Sequence, residues 1–155
     1  MSFRVLGLDP APFIPLYDLR DDELAAHRAR RVEVRESPGV PDRVSLCDLP
    51  VGATALLVNH VHQPADSPFH SSHAVYVELG ATQARVVDAR LPAMLRRRLL
   101  SLRAFDRDGM LVRAEVGEGA VAEPLILAML ADPQVDVLHA HFARPGCFAA
   151  RIARL

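Results

Sequence analysis

The chain has 155 residues, of which 50% are hydrophobic and 24% charged, a balance typical of globular proteins and not of disordered ones. Its formal net charge is −1, which excludes a bulk electrostatic attraction to nucleic acid or to an anionic membrane. All 18 basic residues are arginines, so chemistry that requires a lysine, such as a Schiff base or a P-loop, is excluded.

Length and cysteine usage predict the domain organisation and the compartment. A chain of this size fits one domain, which we place at residues 1–155. The longest apolar run is too short for the roughly twenty residues of a membrane span, and no signal-peptide core is visible. Cys47 and Cys147 lie far apart and are predicted to be separate thiols. We therefore expect a soluble cytoplasmic protein.

The first half of the chain reads as short strands with one helix. A strand is predicted over residues 3–8, and three prolines then impose an extended path. Asp21 and Asp22 favour the start of a helix over residues 21–30, which ends in arginines as the helix dipole prefers. Further strands are predicted at residues 32–34, 44–46, 55–62 and 73–79, with a loop at residues 63–72.

The second half reads as two hairpins and two helices. Pro92 suits the first turn of a helix over residues 92–99, and a buried helix is predicted over residues 121–131. The segment from Asp106 to Gly109 is a hairpin signal. The predicted strands are residues 100–105, 110–116, 135–143 and 147–153. Together these elements indicate an α+β fold, with a single domain of mostly antiparallel sheet and about three helices.

Six of the seven histidines fall into two groups, which locates the candidate site. The first group is His60, His62, His70 and His73, and the second is His139 with His141, six residues before Cys147. Histidine titrates near neutral pH and ligates metals, so such groups are typical of functional sites.

The loop between the predicted strands adds other polar groups. Asp66, Ser67 and Ser72 lie beside the histidines, and polar groups on a loop between rigid strands commonly bind ligands. The alternative is a surface loop in which these side chains form local turns.

A metal is weighed against this pattern and is not expected. His60 and His62 share one strand face, and a zinc site would need further ligands from His73, Asp66 or His141. Because no spacing matches a known zinc signature, we predict no metal and no cofactor.

In the last hairpin, the register decides the role of Cys147. Leu138 and Phe142 are predicted core residues, with His139 and His141 on the opposite face. A two-residue loop would turn the thiol away from the histidines, whereas a three-residue loop would place it on their face, and we favour the longer loop. The thiol is then a nucleophile activated by an imidazole, or a small apolar side chain in a sheet.

Cys47 is predicted to be core filler. Arg96, Arg97 and Arg98 are predicted to form a solvated helix end. Arg103, which has apolar neighbours, could clamp a carboxylate or phosphate together with Arg43 or Arg151, or could lie on an exposed strand face.

A series of motifs in one order carries a resemblance to a known family. The motifs are Arg43-Val-Ser-Leu46, His62-Gln-Pro-Ala-Asp-Ser-Pro68, Ser72-His73-Ala74, Leu99-Leu-Ser-Leu-Arg-Ala-Phe-Asp106 with Asp108-Gly-Met110, and Gly146-Cys147-Phe-Ala-Ala-Arg151. The chain resembles an uncharacterised bacterial family catalogued as domain of unknown function 1203. The resemblance covers nearly the whole chain and implies no known activity.

The family pattern ranks the candidate residues. It has an aromatic residue where His60 stands and an Arg-like residue where His70 stands, which implies that these two histidines are incidental. His62, His73, His141 and Cys147 match the pattern. The pattern often has Cys where this chain has Asp42, so a mechanism that needs two thiols is not implied.

The resulting hypothesis is a pocket lined by His, Arg and Cys that binds a small anionic metabolite. In a catalytic version, His62, His73 or His141 serves as acid or base and Cys147 as nucleophile. The ligand contacts would come from Arg43, Asp66, Ser67, Ser72, Arg103, His139 and Arg151. The alternative is a structural or interaction protein with ordinary polar histidines, for which a homodimer is one arrangement. Nucleic-acid and membrane partners are not expected.

Overall fold

Eleven strands and three α-helices make up the fold in a computed structural model that describes residues 1–155. The strands are β1 (Phe3–Leu6), β2 (Ala29–Glu33), β3 (Pro41–Asp42), β4 (Cys47–Asp48), β5 (Thr54–Gln63), β6 (Ser71–Glu78), β7 (Val86–Asp88), β8 (Leu99–Phe105), β9 (Leu111–Glu118), β10 (Val137–Phe142) and β11 (Phe148–Arg154). The helices are α1 (Asp21–Ala26), α2 (Ala93–Arg96) and α3 (Glu123–Leu130).

The strands form two sheets. The large sheet has the order β7-β1-β11-β10-β8-β9, and the small sheet has the order β2-β5-β6-β3-β4. Every pairing is antiparallel except that of β3 with β6. The small sheet is built entirely from the chain between β1 and β7, which are neighbours in the large sheet.

Each sheet buries apolar side chains in its own core. A cluster of 21 buried residues joins the large sheet to α2 and α3 and includes Leu102, Leu138 and Ile126. A cluster of nine includes Leu56 and Val75 of the small sheet. Burial of these side chains is the main favourable term that holds each sheet in place.

The prediction of mostly antiparallel sheet with three helices is confirmed, and both hairpins of the second half are present. The helices contain only six, four and eight residues, so the molecule is largely β. The longest is too short, and none is apolar over enough residues, to cross a bilayer. The prediction of two separate thiols is also confirmed.

Several predicted boundaries are wrong for a physical reason. Helix α1 ends at Ala26, not at residue 30, because Arg28 adopts a φ of 53° and Ala29 then pairs with Val58. The strand predicted at residues 44–46 is a turn between β3 and β4. The helix predicted to reach residue 99 ends at Arg96, since Leu99 begins a strand that pairs with β9.

Candidate functional site

The small sheet contributes two histidines to the interior of the molecule. Along β5, Leu56, Val58 and His62 lie on one face because side chains alternate along a strand. On β6, His73 and Val75 face the same way. The apolar inner face of this sheet therefore continues into imidazoles.

The large sheet contributes two more histidines. All six residues of β10 are buried. Leu138, Ala140 and Phe142 face the core that contains the helices, which leaves His139 and His141 on the opposite face. The predicted division of β10 into an apolar and a histidine face is thus observed.

The four imidazoles meet where the two sheets approach each other, and we call them the histidine cluster. The ring of His62 stacks on that of His73, with centroids 4.6 Å apart, and its other neighbour is Phe148 at 4.8 Å. The ring of His141 stands edge-on to His62 at 5.1 Å, and that of His139 does so at 5.6 Å. Two histidine groups that are far apart in sequence form one site.

The cluster holds most of the unsatisfied polar atoms of the interior. Of six buried side-chain polar atoms without a hydrogen-bond partner, five are imidazole nitrogens. They are both ring nitrogens of His62, Nδ1 of His73, Nδ1 of His139 and Nε2 of His141. Buried polar groups without a hydrogen-bond partner are rare and cost about 1–3 kcal/mol each. Their concentration here indicates a functional site or a ligand-binding site.

One histidine of the cluster is held by the backbone. Nδ1 of His141 lies 3.1 Å from the carbonyl oxygen of Gly146. Because a carbonyl only accepts, Nδ1 carries the proton in the neutral ring and Nε2 keeps its lone pair. That lone pair points into the cluster as one of the unpartnered atoms.

Burial keeps the imidazoles of the cluster neutral. It lowers the pKa of His62, His139 and His141 to about 3, and the neighbouring histidines and Arg103 add smaller repulsive effects. Burial also lowers the pKa of His73, assisted by Arg103 and Arg43. At neutral pH the cluster therefore presents lone pairs rather than positive charges.

Two arginines flank the cluster on the large sheet. Arg103 and Arg151 pair with His139 from the two neighbouring strands, so their side chains lie on the histidine face. Arg151, His62 and His139 also line a cavity of about 570 Å³, which we call the histidine cavity.

Cys147 lies apart from the histidines, and the favoured register of the last hairpin is wrong. Phe142 exchanges backbone hydrogen bonds with Cys147 and Gly146, which makes the loop longer than either alternative. A bulge between Ala140 and His141 then places Phe148 opposite His141. Cys147 packs on the side of Phe142, away from the histidine face.

The thiol of Cys147 has an arginine as its partner. Nη2 of Arg43 donates to Sγ at 3.0 Å, while its other nitrogens donate to the carbonyl oxygens of Pro41 and Phe148. Arg43 is only 2% exposed, and its guanidinium lies 5.0 Å from the centroid of the Phe142 ring. Burial lowers the pKa of Arg43, and contact with Cys147 opposes this effect.

A second cavity of about 590 Å³ opens beside this pair, and we call it the arginine pocket. Its polar lining is formed by Arg43, Arg97, Arg98, Arg144, Tyr76, Cys147 and Glu118. Arg43 and Cys147 are predicted site residues, but the prediction had linked them to the histidines.

Arg98 was predicted to be solvated, but its side chain is mostly buried. Its Nη1 donates to Asp48 at 3.1 Å, and the side chain of Asp48 is 3% exposed. The guanidinium of Arg98 also lies 5.0 Å from the ring centroid of Phe142. Arg96 and Arg97 are exposed, but Arg97 lies 3.5 Å from Asp48 and lines the arginine pocket, so the prediction fits Arg96 alone.

Cys47 is half-buried rather than part of a core. Its Sγ accepts a hydrogen bond from Nη1 of Arg85 at 3.0 Å, and it borders a smaller cavity beside α2. The adjacent Leu46 fills the core position instead.

The other polar residues of segment 60–72 that the sequence singled out line neither cavity. Asp66 and Ser72 are exposed, and Ser67 donates through Oγ to the carbonyl oxygen of Gly109 at 3.1 Å. His60 packs against Phe13, and His70 is exposed. These positions fit a structural or surface role.

Sequence reasoning missed Phe148 and Asp42. Phe148 stacks on His62, which its place near the start of the last predicted strand could have suggested. Asp42 is fully buried, and its carboxylate accepts from the backbone N–H groups of Val44, Ser45 and Glu78. It fixes the turn that carries Arg43.

Comparison with known proteins gives one family match. Searches of curated proteins and of solved structures found no match. A family described as "Protein of unknown function (DUF1203)" matches residues 39–154, a span that contains the arginines lining both cavities and all four clustered histidines. The chain therefore belongs to the domain of unknown function 1203 family.

Proposed function

We propose that this protein binds a small anionic molecule in the arginine pocket. The observation that carries the proposal is the lining of that cavity, where four guanidinium groups face a single carboxylate, Glu118. Arginine binds carboxylate and phosphate groups through parallel N–H donors, so such a lining favours an anion of either chemistry.

The pocket keeps free positive charge after internal pairing. Asp48 neutralises part of the charge of Arg97 and Arg98. Arg144 is exposed and makes no ion pair within the chain. Arg43 uses three of its five N–H groups on protein acceptors, and two N–H groups have no protein acceptor.

The size of the cavity supports a metabolite rather than a macromolecule. A volume of about 590 Å³ lies within the roughly 300–1,000 Å³ of small-molecule sites. Tyr76 and Phe142 supply apolar surface beside the charged groups. We place this protein in the cytoplasm, where small anionic metabolites are abundant and free thiols persist.

The geometry favours binding over a Cys–His catalytic pair. Cys147 contacts Arg43 and lies on the opposite side of β10 from His139 and His141. No imidazole hydrogen-bonds to the thiol of Cys147. If Cys147 acted as a nucleophile, Arg43 would be the side chain that stabilises its thiolate.

Alkylation of Cys147 tests the proposal directly. In a Cys47→Ala background, iodoacetate and iodoacetamide both alkylate the thiol through a CH₂ group but differ in charge. We expect a higher rate ratio of iodoacetate to iodoacetamide in the folded protein than after unfolding, because the pocket concentrates anions. Inorganic phosphate or succinate should slow both reactions in a saturable manner.

Two arginine variants provide the comparison. Arg144→Gln should lower the iodoacetate preference and weaken protection by phosphate or succinate. Arg35→Gln removes an exposed arginine outside the pocket and should change neither. A rate ratio equal to that of the unfolded chain, with no protection by either anion, would contradict the proposal and favour a structural protein.

A further inference from the structure

We propose that His62, His139 and His141 form a binding site for one divalent transition-metal ion of the zinc class, with an open coordination position toward the histidine cavity. This site goes beyond the proposed anion binding, and its cavity shares no lining residue with the arginine pocket. Each proposal can therefore fail without the other.

The spacing of the three imidazoles carries the inference. One ring nitrogen from each residue lies within 4.8 Å of those of the other two, and all three residues are buried. Nitrogens bound to zinc at about 2.1 Å in a tetrahedral shell lie about 3.4 Å apart. Small side-chain movements inside the cluster are enough to bring them to one ion.

The hydrogen bonds of the cluster fit a ligand shell. Histidine ligands commonly donate their second ring nitrogen to a carbonyl or carboxylate, which orients the ligating nitrogen. His141 has this arrangement, with Nδ1 on the Gly146 carbonyl and a buried, unpartnered Nε2. A metal ion would also provide a partner for one nitrogen of His62, whose two nitrogens both lack a protein partner.

The donor set selects the class of metal. Three imidazoles with no carboxylate or thiolate suit zinc, cobalt, nickel or copper rather than magnesium or calcium, which require oxygen ligands. His73 stacks on His62 and completes the packing of the ring that binds the ion. Three protein ligands leave at least one coordination position open, as in catalytic rather than structural zinc sites.

The flanking arginines predict what fills the open position. Arg103 and Arg151 lie on the same face as His139 and would repel a bare dication. An anionic fourth ligand, such as hydroxide or a carboxylate, would reduce the charge of the ion and pair with a guanidinium. Arg151 lines the histidine cavity together with His62 and His139, which places one such donor in the cavity wall.

Titration of the metal-free protein with Zn²⁺ and Co²⁺ tests the site. We expect one ion per chain by calorimetry, and a visible Co²⁺ spectrum of low-coordinate, nitrogen-rich type. His62→Phe keeps a ring between His73 and Phe148 but removes both nitrogens, and His139→Phe replaces an imidazole that already contacts aromatic rings. Each should weaken binding more than the roughly 10–100-fold cost of losing an outer-shell partner.

His70→Gln is the matched control, since it removes an exposed histidine from the loop between β5, which carries His62, and β6. Its affinity should equal that of the unaltered protein. Circular dichroism checks the fold of each variant, and paramagnetically shifted imidazole signals of the unaltered Co²⁺ protein count the ligands without any substitution. Absence of binding, or equal affinity in His62→Phe and His70→Gln, would overturn the proposal.

Discussion

At the scale of single residues, Arg43 joins segments of the chain that the sequence keeps far apart. Its guanidinium bridges the carbonyl oxygens of Pro41 and Phe148 and the sulfur of Cys147. A buried cation is costly unless its donors are used, and here three of them have protein acceptors. The residue therefore connects the turn after β3 to the start of β11.

Replacement of Arg43 should show how much this bridge contributes to stability. In Arg43→Met, a long unbranched side chain leaves two backbone carbonyl groups without their donors, and we expect a loss of about 2 kcal/mol in the free energy of unfolding. Urea denaturation measures the change. Arg35→Met, at an exposed position, serves as control and should fall within about 0.5 kcal/mol of the parent protein. Equal stability of both variants would mean that the carbonyls find other partners.

The sequence indicated which residues are candidates for the site, but not which of them contact one another. The sequence showed two separate groups of histidines and left open whether they meet, and the structure brings His62, His73, His139 and His141 into contact. The close approach of one nitrogen each from His62, His139 and His141 was not visible, because His62 lies in the small sheet and the other two lie in the large sheet. The partner of Cys147 was equally hidden, since one bulge in the last hairpin decides which face each later side chain occupies.

At the scale of elements, the β8–β9 hairpin holds the loop that follows β5. Gly109 has a φ of 75° in the hairpin turn, and its carbonyl oxygen accepts a hydrogen bond from Ser67. A Cβ at this position would collide with the side chain of Ala65. The turn needs glycine for its conformation and for the close approach of the loop.

Gly109→Ala should therefore cost more than an alanine at another left-handed glycine. Gly52 has a φ of 90°, and no atom lies within 4 Å of the place that a Cβ would take, so Gly52→Ala carries the conformational cost alone, about 1 kcal/mol. For Gly109→Ala we expect about 1–3 kcal/mol more, from the collision with Ala65. Thermal and urea unfolding of the two variants give the difference. If the two values agreed, the loop would be free to move away from the hairpin.

Elements with strong local signals were predictable, and those that depend on distant partners were not. The turn from Asp106 to Gly109 and the apolar run at the start of β5 identified their strands from neighbouring residues alone. Strands β3, β4 and β7 have only two or three residues, too few for periodicity. Strands β3 and β7 pair with strands elsewhere in the chain, and β4 pairs only with β3.

At the scale of the whole molecule, the neutral histidine cluster makes stability depend on pH. The folded pKa values of His62, His139 and His141 are about 3, against an ordinary value of 6.5. Between these values the unfolded chain binds more protons than the folded chain. The stabilisation is complete above pH 6.5 and is lost as the pH falls toward 3.

For the metal-free protein, we expect the free energy of unfolding to fall steeply between about pH 6 and pH 4. Each imidazole that gains a proton on unfolding adds about 1.4 kcal/mol per pH unit to the slope. His62→Phe removes one such group and should reduce the slope by up to that amount, while the carboxylates contribute equally to both proteins. Urea midpoints across this range provide the measurement, and identical slopes would mean that the pKa of His62 is the same in the folded and the unfolded chain.

The division into two sheets could not be predicted from the sequence. Hydrophobic alternation predicts which face of a strand is buried but not which other strand covers it. The contact of His62 with His141 and Phe148 joins the two sheets, and nothing local to either segment encodes that meeting. The prediction of mostly antiparallel sheet was confirmed because the sequence of each segment predicts most of the individual strands.

The position of β1 in the large sheet has a consequence for the order in which the chain folds. β1 pairs with β7 on one side and with β11 on the other, so Phe3 lies opposite Arg154. The small sheet lies entirely within the intervening chain, and its central β5–β6 hairpin closes a short loop. Since closing a long loop costs more entropy than closing a short one, that hairpin can form early. The large sheet closes only when β1 and β11 bring the two ends of the chain together, so we expect its completion to follow the formation of the local hairpins.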